Sequence, residues 1–264
     1  MDEQTQRLEY LVNAFCADSQ EYKDLPVPDS AAEQRRILRS LMNIRMPREL
    51  PEEVLAVQDE YLKTRAEEKG IVSLSSIPVI RDGLSVWQGD ITRLACDAIV
   101  NAANPQMLGC FVPMHSCIDN CIHTFAGVQL RAECSRYMNR MKSRYGADYE
   151  QPTGVPVLTD AYNLPARKVI HVAGPVVSDR VTPELEEELA SCYRNTLDIC
   201  NEHHLKSIAF CCISTGVYRF PNQRAAEIAV TTVETWMKEH PGAVERVIFN
   251  VFKDEDRQYY EALV

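Results

Sequence analysis

The sequence predicts an α/β layered fold over residues 71–264, preceded by a helical extension over residues 1–70. Two observations carry this reading. Hydrophobic periodicity changes character near Ile71, and beyond that point short apolar runs alternate with longer helical patterns. A third sets the scale: 264 residues with 45% hydrophobic content can bury a full core, as one large domain or as one domain with an appendage.

In the extension, Leu8, Leu11, Val12 and Phe15 recur at helical spacing, followed by Ile37, Leu38 and Leu41, and then by Val54, Val57, Tyr61 and Leu62. Pro26 and Pro28 separate the first two helices, and Pro47 and Pro51 the second from the third. No catalytic constellation occurs there, so a helical cap packed on the main domain is preferred to a separate functional module. From Ile71 onward the expected strands are Leu84–Gln88, Ala98–Asn101, Val169–Ala173, Ser207–Ile213 and Val244–Phe252. Helices are expected at about Ile118–Ser143, Pro183–His203, Asn222–Glu239 and Glu255–Leu263.

Charge and cysteine usage narrow the function. With 28 basic against 38 acidic residues, a formal charge of -10, nothing resembles the basic stripe of a nucleic-acid binder, and any phosphate is expected on backbone amides. No run approaches the roughly 20 apolar residues of a membrane span, and Met1–Gln6 is polar. A cytoplasmic protein with neither nucleic-acid nor membrane partner is expected. In that compartment the ten cysteines are expected reduced, available as buried thiols or as metal ligands.

The densest group of metal-capable side chains runs Cys110, His115, Cys117, Cys121, His123. Thiolates with an imidazole suit Zn2+, and three protein ligands leave a fourth position open. Buried thiols are the alternative reading. Ile118, Ile122 and Phe125 suggest a helix beginning near Ser116, which puts Cys110 and His115 on a loop able to wrap an ion. Cys110, His115 and Cys117 are therefore the favoured ligands, with Cys121 and His123 as helix-face residues. Two strand ends carry further candidates. Asn101-Ala102-Ala103-Asn104-Pro105 offers amide side chains suited to sugar hydroxyls, or an Asx turn. Ser214-Thr215-Gly216-Val217-Tyr218-Arg219-Phe220-Pro221 opens a helix, where main-chain amides can hold a diphosphate. Asp90, after the first strand, can accept from an amine donor or cap a turn.

Gln-Gly-Asp-Ile-Thr, Ile-Val-Asn-Ala-Ala-Asn, Ile-His-Thr-Phe-Ala-Gly, Val-Ile-His-Val-Ala-Gly-Pro and Ile-Ser-Thr-Gly-Val-Tyr-Arg-Phe-Pro, in that order, resemble the macrodomain family over about Leu84–Val264. The resemblance implies a three-layer α/β/α macrodomain with a mixed central sheet. Where most macrodomains have a glycine-rich loop, Gly109-Cys110-Phe111-Val112-Pro113-Met114-His115-Ser116-Cys117 stands instead, which is similar to the zinc-containing microbial subclass, as is the helical extension. That subclass implies zinc on Cys110, His115 and Cys117, beside the distal ribose of ADP-ribose.

The resemblance further implies that Asp90 holds the adenine amino group with the Ile91 backbone, and that Asn104 meets the distal ribose. Ser214, Thr215, Gly216, Val217 and Tyr218 wrap the diphosphate, and Cys117, Ile118 and Asp119 complete the ligand contacts. Asn104 and Asp119 are the catalytic candidates. Arg219, and Ala161 before Tyr162, depart from glycines common among relatives. The implied activity is zinc-dependent hydrolysis that removes mono-ADP-ribose from acidic side chains. It reverses a sirtuin-like transferase, with a lipoyl-carrier protein as target. The rivals are a hydrolase of small derivatives such as O-acetyl-ADP-ribose, a non-catalytic ADP-ribose reader, and an interaction module with structural zinc.

Overall fold

The computed structural model describes residues 2–264. Three helices come first: α1 (Glu3–Ala17), α2 (Ala31–Ile44) and α3 (Glu52–Lys69). Asp2 and Ser30 cap α1 and α2 by accepting from the amides of Thr5 and Glu33, which satisfies donors that a helix start otherwise leaves free. The apolar stripes expected from spacing face one another. Leu8, Leu11, Val12, Phe15, Leu38, Leu41, Met42, Val54, Tyr61 and Leu62 form a hydrophobic cluster of their own, against which Val128 packs.

Two short strands, β1 (Val72–Ser73) and β3 (Leu94–Ala95), pair in parallel and lead into the main sheet. That sheet contains β2 (Leu84–Gln88), β4 (Ala98–Ala103), β5 (Val157–Asp160), β6 (Lys168–Ala173), β7 (Ser207–Phe210) and β8 (Arg246–Val251), in the order β2-β8-β7-β4-β6-β5. β5 runs antiparallel to β6 and the other pairs are parallel, so the sheet is mixed. Inner strands show near-continuous burial rather than alternation, because helices cover both faces. Those helices are α4 (Ile118–Ala126), α5 (Val128–Tyr145), α6 (Pro183–Glu202), α7 (Asn222–Glu239) and α8 (Asp254–Leu263). The result is the three-layer α/β/α architecture with a mixed central sheet that the sequence predicts, with helices ahead of it.

Three local expectations are corrected. The single helix expected over Ile118–Ser143 is two, because Gly127 adopts φ +98° and divides α4 from α5. The runs Ser207–Ile213 and Val244–Phe252 hold shorter strands; beyond them Cys211, Ile213 and Val244 fill the core from loops, whereas Phe252 is exposed. β5 has only four residues and went unrecognised in sequence.

Candidate active site at the carboxyl edge of the sheet

All parallel strands end at the same edge, where open α/β sheets hold ligands. β2, β8, β7 and β4 are successive neighbours there. At about 4.8 Å per strand, their ends span roughly 14 Å, enough for an elongated ligand.

At the centre lies Asp119, in the first turn of α4 and only 5% exposed. Asn101 donates to Oδ1 at 2.8 Å and Asn104 to Oδ2 at 3.3 Å, so both ends of β4's asparagine motif orient one carboxylate. Burial raises this carboxyl to about 6, against the lowering by Asn101 and by the positive charge of Arg131. Asn101 is itself aligned. It lies opposite His171 in the β4/β6 register and directs the same Nδ2 toward His171 Nδ1 at 3.0 Å. That contact makes Nδ1 the acceptor and leaves the proton on Nε2, which faces Thr159 Oγ1 at 3.0 Å. Burial drives His171 down to about 3 and His123 well below the usual histidine range, so both rings are neutral. The 3.6 Å approach of His123 Nε2 to Asp119 Oδ1 is therefore a polar contact rather than an ion pair.

Beside Asp119, the donor atoms of Cys110, His115 and Cys117 all lie within 4.8 Å of one another, with Cys110 Sγ to His115 Nδ1 at 3.5 Å. Tetrahedral zinc with two sulfurs and a nitrogen separates its ligand atoms by roughly 3.5 Å, so this set fits zinc with little closure. Cys117 is also the N-cap of α4, accepting from the Asn120 amide at 3.4 Å. Burial pushes its thiol up to about 12, so without a cation it is a poor nucleophile. Gly109, at φ +80°, opens the loop; a Cβ there would lie 2.8 Å from the His123 ring. A second group of potential ligand atoms, His123, Cys134 and His171, is buried behind the site. Cys121 belongs to neither and instead receives Arg39 Nη2 at 3.7 Å.

The loop after β7 is shaped by its main chain. Ser214 (φ +64°) and Arg219 (φ +60°) both take the left-handed conformation, and the Phe220 amide closes the turn onto the Ser214 carbonyl at 3.0 Å. Arg219 thus occupies a backbone position that glycine adopts without strain, so the departure from glycine is made at a conformational cost. The amides of Gly216, Val217 and Tyr218 meet no acceptor among the described residues, and α7 begins just beyond at Asn222. The Ser214 hydroxyl is buried without a partner. Burial, then the charge of Asp119, raise the Tyr218 phenol, which places this loop within electrostatic reach of the carboxylate.

Asp90 is a cap in the structure, and its second oxygen faces a cation of the chain itself. Oδ1 caps the 3-10 turn Ile91–Arg93 by accepting from the Thr92 amide at 3.0 Å, while Oδ2 stands 3.5 Å from Lys69 Nζ. Asn104 forms the Asx turn of its motif, its Oδ1 accepting from the Gln106 amide at 3.0 Å, while its Nδ2 donates to Asp119.

The structure thus brings together Asn104, Asp119, Cys110, His115, Cys117 and the Ser214–Tyr218 loop, with Asp90 and Ile91 at the far strand. Sequence reasoning assigned no such role to Asn101, His171, Lys69, Arg39 or Arg131. For Asn101 and His171 the signal was present as polar residues inside apolar strand runs, where an unsatisfied polar group is costly. Lys69 and Arg39 carried no signal beyond ordinary helix-surface charge.

Comparison with known proteins converges on the same region. A sequence model of the Macro domain family matches residues 100–229. A Treponema medium protein named protein-ADP-ribose hydrolase is 45% identical over 265 residues, covering 99% of both chains. One of the same name from Staphylococcus aureus (strain MSSA476) is 41% identical, covering 97% of this chain and 94% of the relative. Among solved structures, the Trypanosoma brucei macrodomain in complex with ADP-ribose superimposes with a TM-score of 0.64 at 28% identity, over 89% of this chain and 96% of that one. The Oceanobacillus iheyensis macrodomain with ADP does so with a TM-score of 0.60 at 35% identity, over 70% and 92%.

Proposed function

The chain belongs to the macro domain family, and we propose that it is a hydrolase that removes mono-ADP-ribose from modified acidic side chains of a protein, using zinc held by Cys110, His115 and Cys117. The observation that carries this reading is the juxtaposition of an oriented, buried carboxylate, Asp119, with a three-donor cluster at the mouth of a loop of free amides. A pure reader needs the loop and Asp90 but has no use for the other two.

In this reading the residues divide the ligand between them. The free amides of Gly216, Val217 and Tyr218, with the N-terminus of α7, receive the diphosphate without a lysine. Asp90, partly engaged by Thr92 and Lys69, accepts from the adenine amino group, with Ile91 beside it. Cys117 and Ile118 line the approach to α4, and Asn104 faces the distal ribose. Asp119, with its two oxygens fixed by Asn101 and Asn104, accepts the hydrogen bond of the attacking water and sets its direction. Zinc, when bound at the three-donor cluster, supplies a positive Lewis-acidic centre next to that carboxylate.

The resemblance of the Cys110–Cys117 loop to the zinc-containing subclass supports a sirtuin-like transferase as the source of the mark and a lipoyl-carrier protein as its bearer. On the same reading, residues 1–70 extend a macrodomain over 71–264 and the protein works in the cytoplasm. No helix among the described residues is long and apolar enough to cross a membrane. The test is release of ADP-ribose from a protein mono-ADP-ribosylated on aspartate and glutamate, with and without prior zinc chelation. Release that vanishes with the metal is expected; tight ADP-ribose binding without release overturns the hydrolase reading in favour of the reader. O-acetyl-ADP-ribose offered alongside decides between protein and small-molecule substrates.

A further inference from the structure

The loop that carries the three donor side chains has little internal support. Among the described residues, a bond from the His115 amide to the Val112 carbonyl at 3.2 Å is its own backbone link, and Met114 sits at φ +59°. It is held from outside, largely by the preceding helices. Asn43 of α2 accepts from the Met114 amide at 3.0 Å and donates to Thr124 at 2.9 Å, which ties the loop to α4 through one buried side chain. One turn earlier on the same face, Arg39 Nη2 donates to the His115 carbonyl at 2.8 Å and to Asn120 Oδ1 at 2.9 Å. The Asn120 amide group in turn reaches the carbonyls of Cys110 at 3.3 Å and Val112 at 3.0 Å.

Arg131 completes the arrangement from the other side. Its Nη1 binds the carbonyls of Met42, Asn43 and Arg45 at the end of α2, and its Nε the Leu108 carbonyl at 2.7 Å, just before the loop. The end of α2 and the start of the loop thereby share one buried guanidinium.

We propose that Arg39 and Asn43 are positioning residues for the metal loop: α2 sets the spacing of the Cys110, His115 and Cys117 donors, which makes the N-terminal helices part of the active site. This inference rests on the zinc reading above. Two features distinguish it from simple docking. Arg39 has no carboxylate within ion-pair reach among the described residues; the solvent it gives up is replaced by a loop carbonyl and the asparagine that grips the loop. Docking bonds of comparable quality exist elsewhere, at Gln58, which receives the Val128 amide at 3.2 Å and donates to Gln129 at 2.7 Å without touching the loop.

Gln58 therefore supplies the control. Full-length wild type, Arg39→Ala, Arg39→Lys, Asn43→Ala and Gln58→Ala are compared by zinc retention against a competing chelator, by metal-free amide exchange of residues 109–117, and by melting temperature. Arg39→Ala and Asn43→Ala are expected to weaken zinc retention by about 10- to 100-fold, as loss of groups that orient metal ligands does. They should also raise exchange within 109–117 while the sheet stays protected, with Arg39→Lys intermediate. Gln58→Ala should lower the melting temperature and change neither of the other readouts.

Wild-type zinc retention and unchanged loop exchange in Arg39→Ala and Asn43→Ala overturn the proposal. So does a Gln58→Ala effect on the loop equal to that of Arg39→Ala. Should wild type bind no zinc while loop exchange still responds to Arg39 and Asn43, the metal reading falls and the brace stands.

Discussion

Two loops meet at the ligand edge of this sheet, and they are built on opposite principles. The loop after β4 carries its chemistry in side chains, Cys110, His115 and Cys117, and takes its shape from other segments through Arg39, Asn43, Asn120 and Arg131. The loop after β7 offers main-chain amides and takes its shape largely from its own backbone, with left-handed Ser214 and Arg219 and a turn closed by Phe220, plus an outside tie from the Val177 amide to the Tyr218 carbonyl at 2.9 Å. The first is therefore sensitive to which atoms its side chains present. The second is sensitive to what occupies the space in front of its amides.

Substitutions should separate the two loops. The largest effect is expected from Cys117→Ala, which removes a ligand and the thiol cap of α4: metal content and turnover should both be lost. Metal analysis that finds zinc unchanged in this variant would transfer the ligand role to Cys121 or His123. Next, Asp119→Asn should lower kcat by about 100- to 10,000-fold, the range of general acid–base contributions, while ADP-ribose affinity measured by calorimetry stays nearly constant. A parallel loss of affinity would make Asp119 a binding residue instead.

For the backbone loop, Gly216→Val places a side chain in open space, since nothing lies within 4 Å of its Cβ position. Stability should be unaffected while ADP-ribose affinity drops about tenfold, or about 1.4 kcal/mol, by obstruction of the amides. At the adenine end, Asp90→Ala should cost about 1 kcal/mol through loss of the cap on Ile91–Arg93, together with several-fold affinity. Asp90→Asn should restore the melting temperature but not the affinity; restoration of both would leave Asp90 only a capping role. The smallest effect is expected at Arg219→Gly, which relieves a left-handed non-glycine residue and should stabilise by up to about 1 kcal/mol in a denaturant titration.

Much of this site was legible before any coordinates. The three-donor loop stood out because five cysteine and histidine positions crowd a short segment, and the helix starting near Ser116 separated loop donors from helix-face ones. The structure places Cys110, His115 and Cys117 together and sets Cys121 and His123 apart. Asn104 and Asp90 were each legible as either a turn-forming or a ligand-facing residue. The turn-forming role is the one the structure displays, and each side chain keeps a second hydrogen-bonding atom that points elsewhere, to Lys69 from Asp90 and to Asp119 from Asn104. Asn101 was visible as a motif residue, yet its bonds to Asp119 and His171 depend on β4 lying beside β6.

What the sequence determined by itself was much of what depends on near neighbours. Helical stripes in the first 70 residues, buried strand runs beyond Ile71, loop donors five and two residues apart, and a glycine-containing turn ahead of a helix all follow from periodicities of a few residues. Tertiary structure alone decided how distant segments complete one another. Arg39 reaches His115 across 76 positions, and Arg131 reaches Asn43 across 88. Hydrogen bonds of about 3 Å between such residues leave no local pattern, because their geometry is set by how α2 packs on α4, its preceding loop and α5 rather than by the residues on either side of them.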